Sequence, residues 1–403
     1  MSSAPRKIPP AATRPVGASG AWCWFGDPRA VHVAGEHRRT YVGFIDRYGQ
    51  VKVVQYDHRT DRLAAATVAR GLPVDDHSNP SILVQPDHRI VVFWSGHNGP
   101  AMYYRRSVAP ADVSAWGPLR TVPVNTPGDH GYTYPNPVAL PAEADALYLF
   151  WRGGNFNPTF AVHTGDGWSP ARTLVSVPGQ RPYLKVASNH RDTLHFAFTD
   201  GHPRNVNTSI YYMYYRDGHL HRADGAVIGP IGAPVVPAQA SLVYDAAGAA
   251  ASGRAWIHDL AVGRDGHPVL GYATFPTECD HRYRYARWTG DGWFDRELTP
   301  AGGAISEDPT EPHYSGGITI SSADPDTLLL SRRIDGVHEI ERWRTADLGQ
   351  TWHRDQLTWH STEPNLRPVT PRGLTGTGSF SAIWMTGRYP AYTDFRTRIV
   401  TLR

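Results

Sequence analysis

Charge is scarce in this chain. Only 19% of its 403 residues are Asp, Glu, Lys or Arg, the formal net charge is +3, and no run of Lys or Arg occurs. A small, dispersed charge argues against a nucleic-acid-binding protein, and so few charged residues argue against disorder or a coiled coil. Cysteine is nearly missing: Cys23 and Cys279 lie far apart and no CxxC is present, so no disulfide framework holds the fold. No stretch of about 18 apolar residues is available for a membrane span. Residues 1–20, MSSAPRKIPPAATRPVGASG, lack the apolar core of a secretory signal. As written, the chain is expected to be cytoplasmic, with export expected only if the start is misassigned. Sustained 3.6-residue apolar periodicity is also absent, which leaves little room for helices.

What the chain has instead is turns and aromatic rings: 39 Gly, 34 Pro, 13 Trp and 20 Tyr, with 40% hydrophobic residues overall. Short β-rich runs recur between Gly, Asp, Asn and Pro clusters. Aligned, they give seven units opening at Ala21, Asp75, Tyr132, Arg181, Ala255, His313 and Asn365. A period of roughly 50 residues, each unit reading as four strands, predicts an all-β fold: a seven-bladed β-propeller of four-stranded antiparallel blades. A small sheet cannot bury both faces alone, and radial stacking covers them. Residues 21–403 are read as one catalytic domain, with 1–20 either disordered or closing the ring, because the seventh unit lacks an obvious fourth strand. The run Thr345-Ala346-Asp347-Leu348-Gly349-Gln350-Thr351-Trp352 fits the Asp-box hairpin, with degenerate copies at Asp166-Gly167-Trp168 and Asp291-Gly292-Trp293.

In a propeller, the start of the innermost strand and the end of the second strand share one face. There the chain places its least core-like residues: Asp75, Asp76, His77, Asn79, His97 and Asn98 in the second unit, and Tyr132, Tyr134, Trp151 and Arg152 in the third. The fourth adds Arg181, Tyr183, Asp200, His202 and Arg204. Each alone reads most simply as packing or an ordinary polar surface; their convergence on one rim marks a site. Imidazole, phenol and guanidinium groups suit β-elimination at a uronate. Arg neutralises the carboxylate as the adjacent proton leaves, while His or Tyr takes that proton and another protonates the leaving oxygen. Glycoside hydrolysis ordinarily needs two opposed carboxylates, and this rim is poor in them.

At these residues the chain resembles the BNR-repeat propellers that include ulvan lyases and rhamnose–glucuronate lyases. DDHSNPSILV, FWSGH, YPNPVAL with LYLFWRGGN, RPYLKVAS with HFAFTDGHPRN, AWIHDLAV and HRYRYARW carry the likeness over nearly all of 21–403. The resemblance implies a funnel that binds an acidic rhamnose- and uronate-containing glycan. Carried over by motif, His77, His97, Tyr134 (or Tyr132), Arg152 and Arg204 are the catalytic candidates. His97 and Tyr134 are assigned to the proton transfers, His77 to substrate orientation, and Arg152 and Arg204 to the uronate carboxylate. Asn79, Tyr132, Arg181, Tyr183 and Tyr211 are the substrate-binding candidates. A hydrolase on the same glycan, a rhamnosidase among them, and a non-catalytic carbohydrate-binding propeller are the alternatives. A sialidase fits less well because no Arg-Ile-Pro opens the chain.

Cys279, His281, His258 and His313 form a second candidate cluster, of a composition that suits tetrahedral zinc. The resemblance implies a structural zinc of this general kind, which some relatives carry, and leaves room for calcium in the central channel, although no loop in the sequence demands it. No organic cofactor, nucleic acid or membrane is expected, and the chain is expected to act as a monomer.

Overall fold

The computed structural model describes residues 6–7, 13–248 and 253–403; the rest of the N-terminal segment 1–20 lies outside the described residues. Seven antiparallel sheets follow one another along the chain, and the only helical elements described are three short 3-10 turns. In the first blade the strands run Ala30–Val33, Arg39–Ile45, Val51–Asp57 and Arg62–Ala69 from inside to outside. The other six blades repeat this plan from inner strands Ser81–Val84, Thr133–Leu140, Leu184–Ser188, Arg254–Val262, Ile318–Ile320 and Asn365–Val369.

Sequence texture follows position in the blade. Second strands such as Ile90–Trp94 and Thr193–Thr199 are buried throughout because adjacent blades cover both faces; the first reads as a continuous apolar run, while the second also carries Thr193, His195 and Thr199. The outer strand Arg62–Ala69 is mostly exposed or half-buried and reads as polar and small residues. Thr345–Trp352 makes the hairpin into the outer strand of the sixth blade. Asp347 accepts from the Thr351 amide at 2.8 Å, and the Trp352 ring packs 5.2 Å from Tyr285 of the fifth blade.

The fourth blade departs from the plan. Residues 219–244 make an extra hairpin, His219–His221 with Val227–Pro230, before Ser241–Tyr244 returns to pair with the third strand. In the seventh blade, Thr13–Gly17 pairs antiparallel with Asp394–Leu402 and supplies the outermost strand. Arg6–Lys7 adds a parallel strand to the sixth blade.

The expected first unit needs a correction. Ala21-Trp22-Cys23-Trp24-Phe25 does not open an inner strand; it is a buried plug in the central channel. Its main chain is met by side chains and carbonyls from several blades. Asn79 accepts from the Cys23 amide at 3.0 Å, and Asn136 donates to the Phe25 carbonyl at 2.8 Å. Lys185 donates to the Trp24 carbonyl at 2.6 Å, and Arg367 to the Trp22 carbonyl at 2.7 Å. The Trp24 indole donates to the Ile257 carbonyl at 3.1 Å. Buried main-chain groups need such partners, so the plug selects the polar residues lining the channel. Asp27 ends the segment and takes ion pairs from Lys185 and Arg29. Burial opposes its charge, but the two cations and Arg372 hold its carboxyl well below the usual range.

Removing that carboxylate leaves the Lys185 ammonium buried beside Arg29. Asp27→Ala is therefore expected to cost about 3–5 kcal/mol in urea unfolding, with much of the loss recovered in Asp27→Leu/Lys185→Met. A single variant within about 1 kcal/mol of the parent would show that the pair is not what anchors the plug.

Candidate functional site

Asp75 organises the mouth. It caps the short turn Asp76–Ser78 by accepting from the His77 amide at 2.9 Å. The same carboxylate binds His77 Nδ1 at 2.7 Å through Oδ1 and His97 Nδ1 at 2.9 Å through Oδ2. Both imidazoles therefore carry their Nδ1 proton toward Asp75, and the rings stack with centres 4.0 Å apart and planes 1° from parallel. Residues 20 apart in sequence become a single unit because the second strand of the blade returns to where the first began.

Stacking separates the two histidines electrostatically. Burial works against charge on His77, but the adjacent carboxylates of Asp75 and Asp76 raise its pKa well above the ordinary value. Burial and the neighbouring His77 charge push His97 down to about 4. At neutral pH the pair is one imidazolium and one neutral imidazole. His77 Nε2 faces the Tyr314 hydroxyl at 3.4 Å. Among the described residues, His97 Nε2 has no hydrogen-bond partner and is left toward the mouth.

The third blade supplies the phenol and the cation. Tyr134 sits at a bulge in Thr133–Leu140 with φ +64, a strained conformation for a bulky residue. Asn136 holds it by donating to its carbonyl at 3.0 Å. The bulge brings the Tyr134 ring to 5.4 Å from His77. Burial keeps the phenol pKa well above its usual value despite Arg152. Arg152 lies with its guanidinium carbon 4.9 Å from the Tyr134 ring centre. It donates to Asn98 Oδ1 at 3.1 Å and Thr133 Oγ1 at 3.3 Å, and has no carboxylate partner among the described residues. At 4% exposure, with Nε unbonded, this is a buried charge whose hydrogen-bond partners among the described residues are neutral. Close backbone approach makes the arrangement possible: a Cβ on Gly131 would stand 2.1 Å from the Gly99 carbonyl oxygen.

The fourth blade adds Tyr183, with its ring 6.1 Å from that of Tyr134. Arg181 lies over the Phe156 ring at 4.1 Å, also without a carboxylate among the described residues. Arg204 reaches Glu311 at 2.5 Å, so its charge is already matched. Between them His202 is held down to about 2 by burial and by Arg204, Arg181 and Arg152. A small cavity of about 20 Å³ opens among Tyr134, Asn136, Arg152 and Tyr183.

The structure thus gathers His77, His97, Tyr134, Arg152, Arg181, Tyr183 and Arg204 around one mouth. It turns three other candidates elsewhere. Asn79 spends its amide on Cys23 and Gly26 of the plug. Tyr132 packs on Trp151 and donates to the Pro123 carbonyl at 2.7 Å. Tyr211 lies in the third strand of its blade, stacked on Phe198 and bonded to Asp200 at 3.3 Å. Residues not anticipated from sequence complete the mouth: Glu311, Tyr314 and Tyr392, the last with its ring 4.9 Å from His77. Glu311 and Tyr314 lie in the long polar segment before Ile318–Ile320, the counterpart of DDHSNP before the second blade, and that correspondence was the available signal.

The four expected zinc ligands do not form one coordination set. His258 stacks on Trp24 at 4.8 Å. His281 is engaged through Nδ1 by Ser315 at 2.8 Å and through Nε2 by the carbonyls of Pro312 and Glu278. His313 packs edge-on against Phe275, and Cys279 is exposed. Among the described residues, groups of three or more ligand atoms within 4.8 Å of one another occur only in Cys23–Asp76–His77 and Asp75–His77–His97, whose carboxylates are already paired with His77, His97 and Arg367.

A seven-bladed ring that gathers His, Tyr and Arg at one mouth is the class of protein this geometry defines. The chain belongs to the BNR repeat-containing family, whose profile matches residues 39–301. No curated protein matches. Among solved structures, the fold is similar to an ulvan lyase of family PL25 bound to -[GlcA(1-4)Rha3S]-, at 15% identity and TM-score 0.69, covering 98% of this chain and 95% of that one. It is also similar to the polysaccharide lyase Uly1, at 12% identity and TM-score 0.56, covering 94% and 91%. The BP39L lectin from Burkholderia pseudomallei matches at 13% identity and TM-score 0.57, covering 93% and 94%.

His97, at about 4, and His202, at about 2, are held neutral in the fold. His281 and His313 are likewise held neutral, at about 4. The unfolded chain accepts protons on them from about pH 6.5 downward, so acidification favours unfolding. Thermal unfolding is expected at progressively lower temperature as pH falls from about 6.5 to 4. A flat profile across that window would contradict the neutral burial of these rings.

Proposed function

We propose that the chain is a lyase that cleaves a rhamnose–glucuronate-type linkage by β-elimination at the uronate. The observation that carries this reading is Arg152: a buried guanidinium with no carboxylate partner among the described residues, next to a neutral imidazole and a protonated phenol. The uronate carboxylate binds Arg152, which stabilises the negative charge that develops as the C5 proton leaves. His97 Nε2 takes that proton while Asp75, already on Nδ1, balances the imidazolium formed. The C5 electron pair forms the C4–C5 double bond, the C4–O4 bond breaks, and Tyr134 gives its proton to the departing oxygen. His77, fixed by Asp75, orients the sugar beside them. Likeness of the fold to the two lyases supports the reaction class.

Hydrolysis is less well supported, since the mouth's carboxylates are already bound. Asp75 is shared by two histidines, Asp76 is paired with Arg367, and Glu311 with Arg204.

Incubation with rhamnose–glucuronate glycans, sulfated and unsulfated, should raise ultraviolet absorbance as the conjugated 4,5-unsaturated uronate accumulates. New reducing ends without that chromophore would point to hydrolysis, and binding without turnover to a lectin. Arg152→Ala should lower kcat/KM about 10²–10³-fold. The acid limb of kcat/KM should fall near pH 4, where His97 titrates. A limb at the ordinary imidazole value would remove His97 as the base.

A further inference from the structure

A cleft of about 530 Å³ lies between the second and third blades, away from the mouth. Arg89, just before the second strand Ile90–Trp94, and Val91 and Phe93 within it line the cleft, and none of the residues placed around the mouth does. Its volume falls in the range of about 300–1,000 Å³ common for small-molecule sites.

Its lining combines two chemistries. Phe93, Tyr104 and Trp168 form an aromatic wall, with Phe93 and Tyr104 stacked at 5.3 Å and Trp168 edge-on to Tyr104 at 6.2 Å. Tyr104 and Trp168 are half-buried, and the Tyr104 hydroxyl has no partner among the described residues. Around the wall stand Arg89, Arg106 and Arg120. Arg89 and Arg106 share a single carboxylate, Asp87. Arg120 has none among the described residues, although its charge, with burial, lowers the His163 pKa. Three guanidinium groups thus face one carboxylate.

We propose that this cleft is a second, non-catalytic binding site for an anionic sugar unit. Apolar pyranose C–H groups lie against the aromatic rings, and a carboxylate or sulfate ester meets the guanidinium groups. The inference rests on the acidic-glycan reading of the mouth and extends it: a polymer held here is presented to the mouth at raised local concentration.

His97→Ala, in which turnover is blocked, would be titrated calorimetrically with glucuronate-containing oligosaccharides, with and without sulfate esters. Two sites per chain are expected. Adding Arg120→Gln, an exposed change that leaves packing intact, should weaken one of them about ten- to a hundredfold. In the otherwise unmodified chain, Arg120→Gln and Trp168→Ala should raise KM for polymer several-fold while leaving kcat on short oligosaccharides unchanged. Sulfated ligands alone binding the cleft would assign it to the sulfate ester; equal binding would assign it to the carboxylate. Single-site stoichiometry, or two sites unmoved by Arg120→Gln, overturns the proposal. Binding is read without turnover, so an inert mouth with an intact cleft would refute the lyase reading alone.

Discussion

The fold depends on how the central channel is filled. Seven sheets arranged radially leave an axial space, and inner-strand main chain on its own presents unpaired polar groups there. The segment from Trp22 to Asp27 fills that space with two indoles and a phenyl ring. It also hands its own amides and carbonyls to Asn79, Asn136, Lys185 and Arg367 on four blades. Those polar residues are satisfied only while the plug is in place, and the plug is satisfied only while they are. Packing and hydrogen bonding therefore stand or fall together at the axis.

The site is assembled on that axis. Asp76 comes from the same turn that presents His77, and it is locked below by Arg367 and the Tyr389 hydroxyl. Asp75, one residue earlier, is thereby left pointing up to serve both histidines. Three inner strands are bulged at corresponding places, near Tyr134, His258 and Arg367. In each, the bulge re-aims a long side chain toward the plug or the mouth. Arg152 is held beside the first of these bulges by Asn98, Thr133 and the Tyr134 ring.

Much of the architecture was legible in the sequence because each blade repeats a local pattern: continuous apolar second strands, Gly- and Asp-rich hairpins, polar residues at strand starts. His77, His97, Tyr134 and Arg152 were legible for the same reason, since their placement follows from strand pairing within one blade or its neighbour. The plug was not legible. AWCWF has the aromatic texture of a strand, and its partners lie as far as 345 residues away. Asn79 was misjudged accordingly: a polar residue at a strand start serves the mouth or the axis depending on a contact no local pattern encodes. The expected zinc ligands are likewise not drawn into one set: His258 stacks on Trp24 of the plug, and His281 is taken by Ser315 and by the carbonyls of Glu278 and Pro312.

Closure of the ring has a consequence for how the chain comes together. Thr13–Gly17 is synthesised before any of the seven blades, and its hydrogen-bond partner Asp394–Leu402 only after six of them. An exposed sheet edge has to wait while all the intervening blades are made. Six blades can stack in order as they emerge, but the circle stays open until Asp394–Leu402 is free to pair. Anything that delays that pairing therefore lengthens the interval in which two unpaired strands can find the wrong neighbour.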